Sequence, residues 1–110
     1  MEFTRVKINT TVPTESAEAI RNVLGEAGAG SIGEYSFCSF SISGKGRFMP
    51  SKYANPHIGN ADVLEIVEEE LIEVKCGWTD AKRVILALRK AHPYQEPIID
   101  IIPLIDEDQL

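Results

Sequence analysis

A histidine, a tyrosine and a glutamate are close neighbours in the segment His92–Pro97, which reads HPYQEP. An imidazole can ligate a metal or titrate near neutral pH, a phenol can exchange hydrogen bonds, and a carboxylate can bind cations. The prolines near both ends of the segment stiffen its backbone. We therefore expect His92, Tyr94 and Glu96 to pin the second predicted helix to the last strand, or else to line a ligand pocket.

Five glutamates fall between residues 65 and 73, in a segment that reads as one long strand. Glu68 and Glu70 share the alternation of its apolar residues, so a regular strand would turn both carboxylates toward the apolar side. Cation binding is the functional interpretation. We favour a solvated strand extension that pairs in part with Lys45, Arg47 or a neighbouring subunit.

The turn Gly28–Gly33 is rich in glycine and follows a predicted helix. Its backbone N–H groups could bind an anion, but it lacks the Lys-Ser/Thr ending of a phosphate-binding loop and does not precede a helix. A helix cap with a close approach between subunits is the favoured interpretation. Gly30, Gly33 and the following Tyr35 are candidate ligand or interface residues.

Cysteine and histidine are scarce, with two of each in the chain. Cys38 and Cys76 have no Cys-x-x-Cys partner and lie in predicted strands, so we expect two buried free thiols. His57 lies in a long loop and is expected to be solvated. A divalent cation is the one cofactor we consider, with His92, Glu96, Glu68 and Glu70 as its weak candidate ligands.

Catalytic motifs are missing: there is no Gly-x-Ser-x-Gly elbow, no His-Glu-x-x-His and no evident acid–base pair. We therefore expect a protein that is not an enzyme.

Periodicity predicts six main elements in the order strand, helix, strand, strand, helix, strand. Thr14 is the predicted cap of the first helix and Gly28 its end, while Gly44–Gly46 reads as a tight reversal that adds a hairpin at 44–50. The acidic end at 106–108 is expected to fray. The predicted strands are 5–12, 35–42, 63–76 and 98–102, the helices are 14–27 and 79–92, and 50–62 is an ordered loop.

This order suggests an α+β fold, a ferredoxin-like sandwich (βαββαβ) with both helices on one face of an antiparallel sheet and the hairpin as an addition. At 110 residues, with 44% hydrophobic and 25% charged residues, the chain fits one domain over residues 1–110.

Four motifs then carry a resemblance to the inserted domain of the Nif-three-like (YqfO-type) dinuclear-metal-centre proteins: residues 28–40, 44–50, 54–59 and 91–97. That domain is similar to the trimeric PII and CutA proteins, which implies the same ferredoxin-like fold and a homotrimer. Gln95 stands where the family usually has an acidic residue. The flanking domain that holds the family's two metal ions has no counterpart here, so its hydrolase activity is not carried over.

The net charge of −6 argues against nucleic acid as a partner. No segment reads as a membrane span or signal peptide, so we expect a cytoplasmic protein. We expect a non-enzymatic oligomeric binding or regulatory module that holds a small molecule or protein partner at subunit clefts. The alternative is a divalent-cation-binding protein of the CutA metal-tolerance kind.

Overall fold

A four-stranded antiparallel sheet carries two helices in the computed structural model, which describes residues 2–110. Met1, which the predicted domain includes, lies outside the described residues. The strands lie in the order β2-β3-β1-β4 across the sheet. The elements are β1 Arg5–Pro13, α1 Ala17–Glu26, β2 Phe40–Phe48, β3 Glu65–Gly77, α2 Ala81–Ala91 and β4 Ile99–Leu104, with single 3-10 turns at Thr14–Ser16, Trp78–Asp80 and Glu107–Gln109.

The core lies between the helices and one face of the sheet. Alternate residues of β1 and β3 point into it, and the register places Ile8 opposite Val74. Each helix adds apolar residues at helical spacing, so one stripe of each is buried. The core side chains from these four elements include Val6, Ile8, Val12, Ile20, Leu24, Ile72, Val74, Val84 and Leu88. The predicted α+β ferredoxin-like sandwich is confirmed.

Both predicted helix ends are confirmed, and one predicted cap is wrong. Gly28 has φ +103°, the left-handed conformation that glycine adopts most readily, just after α1 ends. His92 is extended before Pro93 (φ −66°, ψ 131°), so α2 ends at Ala91. Thr14, however, begins a 3-10 turn, and no side chain caps that turn or α1.

The predicted hairpin at 44–50 is also wrong. A single strand, β2, runs without a break from Phe40 to Phe48 and pairs along its whole length with β3. Gly44 and Gly46 lie within it, because long β3 offers a partner to every residue. Gly46 also meets a packing requirement: a Cβ there would overlap the carboxylate of Glu69, whereas nothing lies near a Cβ at Gly44.

The acidic C-terminal end does not fray. Asp106 accepts hydrogen bonds from Thr4 Oγ1 at 2.5 Å and from Arg5 Nε at 2.6 Å, which tie the end to the start of β1. These two bonds lower the pKa of the Asp106 carboxyl. The acidic end is therefore ordered, because the Asp106 carboxylate lies opposite the complementary groups of Thr4 and Arg5.

One end of the sheet narrows to two strands. β1 stops at Pro13, opposite Glu69, whereas β2 and β3 stay paired for four more residues, to Phe48 and Glu65. The loop 49–64 then returns beside this ribbon, and the segment 92–98 that connects α2 to β4 approaches it. No helix within residues 2–110 has the length and apolar character needed to cross a membrane.

Candidate functional site

A cleft of about 450 Å³ lies where the ribbon, the loop 49–64 and the segment 92–98 meet. Strand alternation places most of its sheet residues on the face opposite the helices. On that face lie Thr11 from β1, Gly46 and Phe48 from β2, and Glu69 from β3, while Arg47 of β2 lines the cleft despite its opposite alternation. Three elements distant in sequence therefore build one concave site.

Glu69 and Tyr94 form the polar centre of the cleft. The Tyr94 hydroxyl donates to Glu69 Oε2 at 2.6 Å, and Glu69 is only 8% exposed. Burial and this hydrogen bond to a carboxylate raise the pKa of the tyrosine well above its usual range. Tyr94 consequently remains a phenol near neutral pH and acts as a hydrogen-bond donor.

His92 supports the cleft from behind and is 7% exposed. Its Nδ1 accepts the backbone N–H of Tyr94 at 3.1 Å, so its Nε2–H donates to the Thr11 carbonyl at 2.9 Å. A proton on Nδ1 would oppose the N–H of Tyr94. Burial lowers the pKa of His92, although the bond to Thr11 acts in the other direction. The neutral imidazole thus joins β1 to the segment after α2.

Aromatic and amide contacts fix the far wall. The Tyr94 ring packs edge-on against Phe48, with centroids 5.9 Å apart, and lies 6.3 Å from the ring of exposed His57. The backbone N–H of Asn55 donates to the Gln95 side-chain oxygen at 2.8 Å. Gln95 thus ties the loop 49–64 to the corner, a bond that a carboxylate at this position could also accept.

The structure brings together three of the sequence-predicted site residues. The rings of His92 and Tyr94 lie 5.3 Å apart with their planes tilted by 41°, and Glu96 lines the cleft. The prediction that His92 has a structural role matches its contacts, although its hydrogen bond reaches β1, the first strand, rather than the last strand. That bond holds the start of the segment 92–97 against β1.

Gly30, Gly33 and Tyr35 lie away from the cleft. The Gly30 N–H donates to the Lys75 carbonyl at 2.7 Å, and Lys75 is six residues along β3 from Glu69, a separation of about 20 Å. A Cβ at Gly30 would overlap the Cys38 backbone, so glycine allows a close approach within the chain itself. Gly33 and Tyr35 are exposed on the surface.

The other metal candidates are engaged elsewhere. Glu68 pairs with Lys45 at 2.6 Å, as the sequence suggested, and Glu70 pairs with Arg21 of α1 at 2.7 Å, a partner the sequence did not indicate. Both lie on the helix side of β3, across the sheet from Glu96 and the cleft. Residues 2–110 contain no cluster of three or more His, Cys, Asp or Glu side chains arranged to hold a metal ion.

The two thiols differ in their surroundings. Cys76 is buried in the core, and burial raises its pKa. The expectation of burial is wrong for Cys38, which is only half-buried because β2 begins after it, at Phe40. Both are free cysteines.

A second groove, between α2 and β4, has about 470 Å³ of space. Trp78, Leu86 and Ile101 line it, together with the charged Lys82 and Arg89. No buried polar side chain of residues 2–110 lines this groove, whereas the cleft is centred on one. Convergent polar groups in an apolar setting distinguish a ligand site, which favours the cleft.

Glu69 is the cleft residue that the sequence analysis missed. The predicted candidates were Glu68 and Glu70, because their alternation matches the apolar side of β3. The available signal was the opposite alternation: Glu69 shares a face with Leu71 and lies across from Gly44 of a Gly-x-Gly strand segment. Glycines on the neighbouring strand leave room for the Glu69 carboxylate to lie against the surface of the sheet.

Comparison with known proteins shows which proteins this chain is similar to. No protein-family model matches it. The GTP cyclohydrolase 1 type 2 homolog of Halalkalibacterium halodurans is 42% identical over 103 residues, which make up 94% of this chain and 28% of that protein. A crystal structure of a Bacillus cereus protein related to NIF3 has a TM-score of 0.81 and 39% identity, covering 94% of this chain and 26% of that one.

The chain is homologous to one region of the NIF3-related proteins. It spans about a quarter of the length of these relatives. The divalent cation tolerance protein CutA of Archaeoglobus fulgidus has a TM-score of 0.67 and 23% identity, covering 93% of this chain and 85% of CutA. That likeness shows the fold alone. The resemblance drawn from the four motifs is thereby confirmed, with its CutA-like fold.

Proposed function

We propose that this chain is a non-enzymatic binding or regulatory module that holds a small molecule in the cleft. The observation that carries the proposal is the hydrogen-bonded pair of buried Glu69 and half-buried Tyr94 at the centre of an otherwise largely apolar cleft of about 450 Å³. A concave, mostly apolar site with a few convergent polar groups is the usual form of a ligand pocket.

The state of the two titratable groups beside Glu69 supports binding rather than catalysis. The Tyr94 pKa is raised too far for the phenol to act as a base near neutral pH, and both His92 nitrogens are held by the backbone. A general acid or base needs a pKa near the working pH and reach to its substrate. Neither side chain meets both conditions.

We further propose that the chain forms a closed homo-oligomer, with the trimer that the PII and CutA resemblance implies. Its accessible surface of 7293 Å² exceeds the roughly 6100 Å² expected for a compact monomer of this mass. Its radius of gyration of 15.3 Å exceeds the expected value of about 13 Å. Association would cover this excess, with the ribbon reaching a neighbour. Light scattering should give a trimer mass, and a monomer mass at micromolar concentration would contradict assembly.

The net charge of −6 supports a partner that is neither nucleic acid nor anionic lipid. We place the module in the cytoplasm, since two free cysteines suit a reducing compartment.

The second candidate function is divalent-cation binding. CutA proteins of the same fold are named for divalent cation tolerance, and two carboxylates, Glu69 and Glu96, line the cleft. Calorimetric titration with Cu²⁺, Zn²⁺ and Mn²⁺ tests it. Tight stoichiometric binding that Glu69→Gln removes would support a cation site, and heats no larger than dilution would end this candidate.

A cleft-filling variant tests the small-molecule proposal. Ala54 lines the cleft and Ala61 lies in the same loop outside it, and both are exposed. Ala54→Trp should fill part of the cleft, whereas Ala61→Trp should leave it open. Wild-type protein and both variants would be incubated with a bacterial small-molecule extract, and retained compounds measured by native mass spectrometry. We expect retention by wild type and Ala61→Trp and loss in Ala54→Trp. Equal retention by all three would contradict the proposal.

A further inference from the structure

Glu69 is a buried carboxylate that differs from the neighbouring glutamates of β3 in the groups beside it. Three other glutamates of β3, at positions 68, 70 and 73, have a Lys or Arg nitrogen at 2.6, 2.7 and 3.7 Å respectively. Glu69 is 8% exposed, yet no Lys, Arg or His nitrogen of residues 2–110 lies within ion-pair distance of it. Burying an unpaired charge is costly unless a partner compensates it.

The hydrogen bonds of Glu69 are also incomplete. Tyr94 donates to Oε2, and within residues 2–110 no side chain donates to Oε1. Oε1 is nevertheless not completely sealed: within residues 2–110, the one side-chain oxygen or nitrogen that is both sealed from solvent and without a hydrogen-bond partner is Asn9 Oδ1. Oε1 lies against Gly46, and both residues line the cleft. The carboxylate therefore presents one free oxygen to the cleft.

The surroundings of this oxygen are mainly apolar. The remaining charged side chains that line the cleft are Arg47 and Glu96, both exposed, and they offset each other in charge. Glu69 consequently sets the sign of the interior. The apolar lining comes chiefly from Phe48, Met49, Pro50, Pro56, Ile58 and Ile98.

We infer that the cleft takes a small molecule with a protonated nitrogen on an apolar body, and that this nitrogen pairs with Glu69 Oε1. The inference rests on the proposed function and names its ligand class. An ammonium or amidinium group supplies both the missing positive charge and the missing donor, while the apolar body covers the aromatic and proline walls. Tyr94 keeps Glu69 in place by holding its other oxygen.

Three probes of similar shape and different charge test the inference. Phenethylamine is cationic at neutral pH, 2-phenylethanol is neutral and phenylacetate is anionic. Each would be titrated into the ¹⁵N-labelled chain while backbone amide shifts are followed by NMR. The variant is Glu69→Gln, which removes the charge and leaves Tyr94 an acceptor. The matched control is Glu68→Gln, a neighbouring residue on the opposite face of β3.

We expect phenethylamine to shift the amides at 46–48, 69, 94–96 and 98, and to bind at least about tenfold more tightly than 2-phenylethanol. Glu69→Gln should abolish that preference, and Glu68→Gln should preserve it. Equal affinity of the amine and the alcohol for wild type would overturn the inference and leave the cleft a binding site. Absence of any shift with all three probes up to about 10 mM would count against both proposals. A change of oligomer mass in Glu69→Gln, without probe binding to wild type, would assign the missing cation to a second copy and also overturn the inference.

Discussion

Glu69 and Glu70 are adjacent residues of β3 that face opposite sides of the sheet, and their partners differ. Glu70 meets Arg21 of α1 at 2.7 Å, so the helix side compensates its charge within the chain. Glu69 meets the neutral Tyr94 and no cation of the described residues. The helix face is thus internally satisfied, whereas the opposite face has an unmet requirement that something outside the chain can fill.

The apolar residues show the same difference. Ile72 on the helix face is 0% exposed. Ile42 lies on the other face, opposite Leu71 of β3, and is 50% exposed. The helix face holds the fold together, because the side chains at its centre, such as Ile8 and Ile72, are fully removed from water. The other face is available for ligand and subunit contacts.

The largest expected effect is on the free energy of unfolding, when one isoleucine on each face of the sheet is replaced by alanine. Ile72→Ala should lower the free energy of unfolding by about 3 kcal/mol, since it leaves a cavity in a closed core. Ile42→Ala should cost about 1 kcal/mol in dilute protein, because half of its side chain is already in water. Chemical denaturation at several protein concentrations measures both. Equal losses in dilute protein would mean that the faces do not differ in this way.

The helix face was also the predictable one. Alternation in β1 and helical spacing in α1 and α2 depend on local sequence, and they predicted the elements and the core correctly. The hairpin at 44–50 failed because Gly-Lys-Gly reads locally as a turn, whereas the partner that keeps it extended, Glu65–Glu69, lies some twenty residues later. The cleft centre was missed for a related reason: the Glu69–Tyr94 contact joins the interior of β3 to the segment after α2, and no short-range pattern links these two regions.

The two histidines of the chain offer the next comparison. His92→Ala should cost about 2 kcal/mol, because it leaves the Thr11 carbonyl and the Tyr94 N–H without their partner in a buried site. His57→Ala should change stability by less than about 0.5 kcal/mol, since that ring is exposed. Thermal unfolding of both variants beside the wild type checks this. A His92→Ala protein as stable as His57→Ala would remove His92 from its structural role.

Acid should weaken the attachment that His92 makes between β1 and the segment after α2. The pKa of His92 is lowered from 6.5 in the folded chain, so the unfolded chain takes up this proton more readily. The contribution of His92 to stability is therefore complete above pH 6.5 and is lost as the pH falls through the folded-state pKa. The free energy of unfolding should decline with acidification more steeply in wild type than in His92→Ala. Parallel pH profiles would refute the assignment.

Two glycines on the same face of β2 provide a smaller, matched test of the cleft. Gly46→Ala should cost about 1 kcal/mol, because its Cβ displaces the Glu69 carboxylate from Tyr94. Gly44→Ala should be neutral or slightly stabilising, since its Cβ meets open space. Spectrophotometric titration adds a local readout: the raised pKa of Tyr94 should fall in Gly46→Ala alone. Identical behaviour of the two variants would mean that Glu69 does not rest on Gly46.

The most direct measurement of the central claim is a map of where small molecules bind. A library of fragments with positive, neutral and negative charge would be screened by NMR against the labelled chain, and shifted amides assigned to positions. The account predicts that hits concentrate at residues 46–58 and 94–98, around Glu69, and that cationic fragments dominate them. Hits concentrated in the equally large groove beside Trp78 and Leu86, or no hits in the cleft, would contradict it.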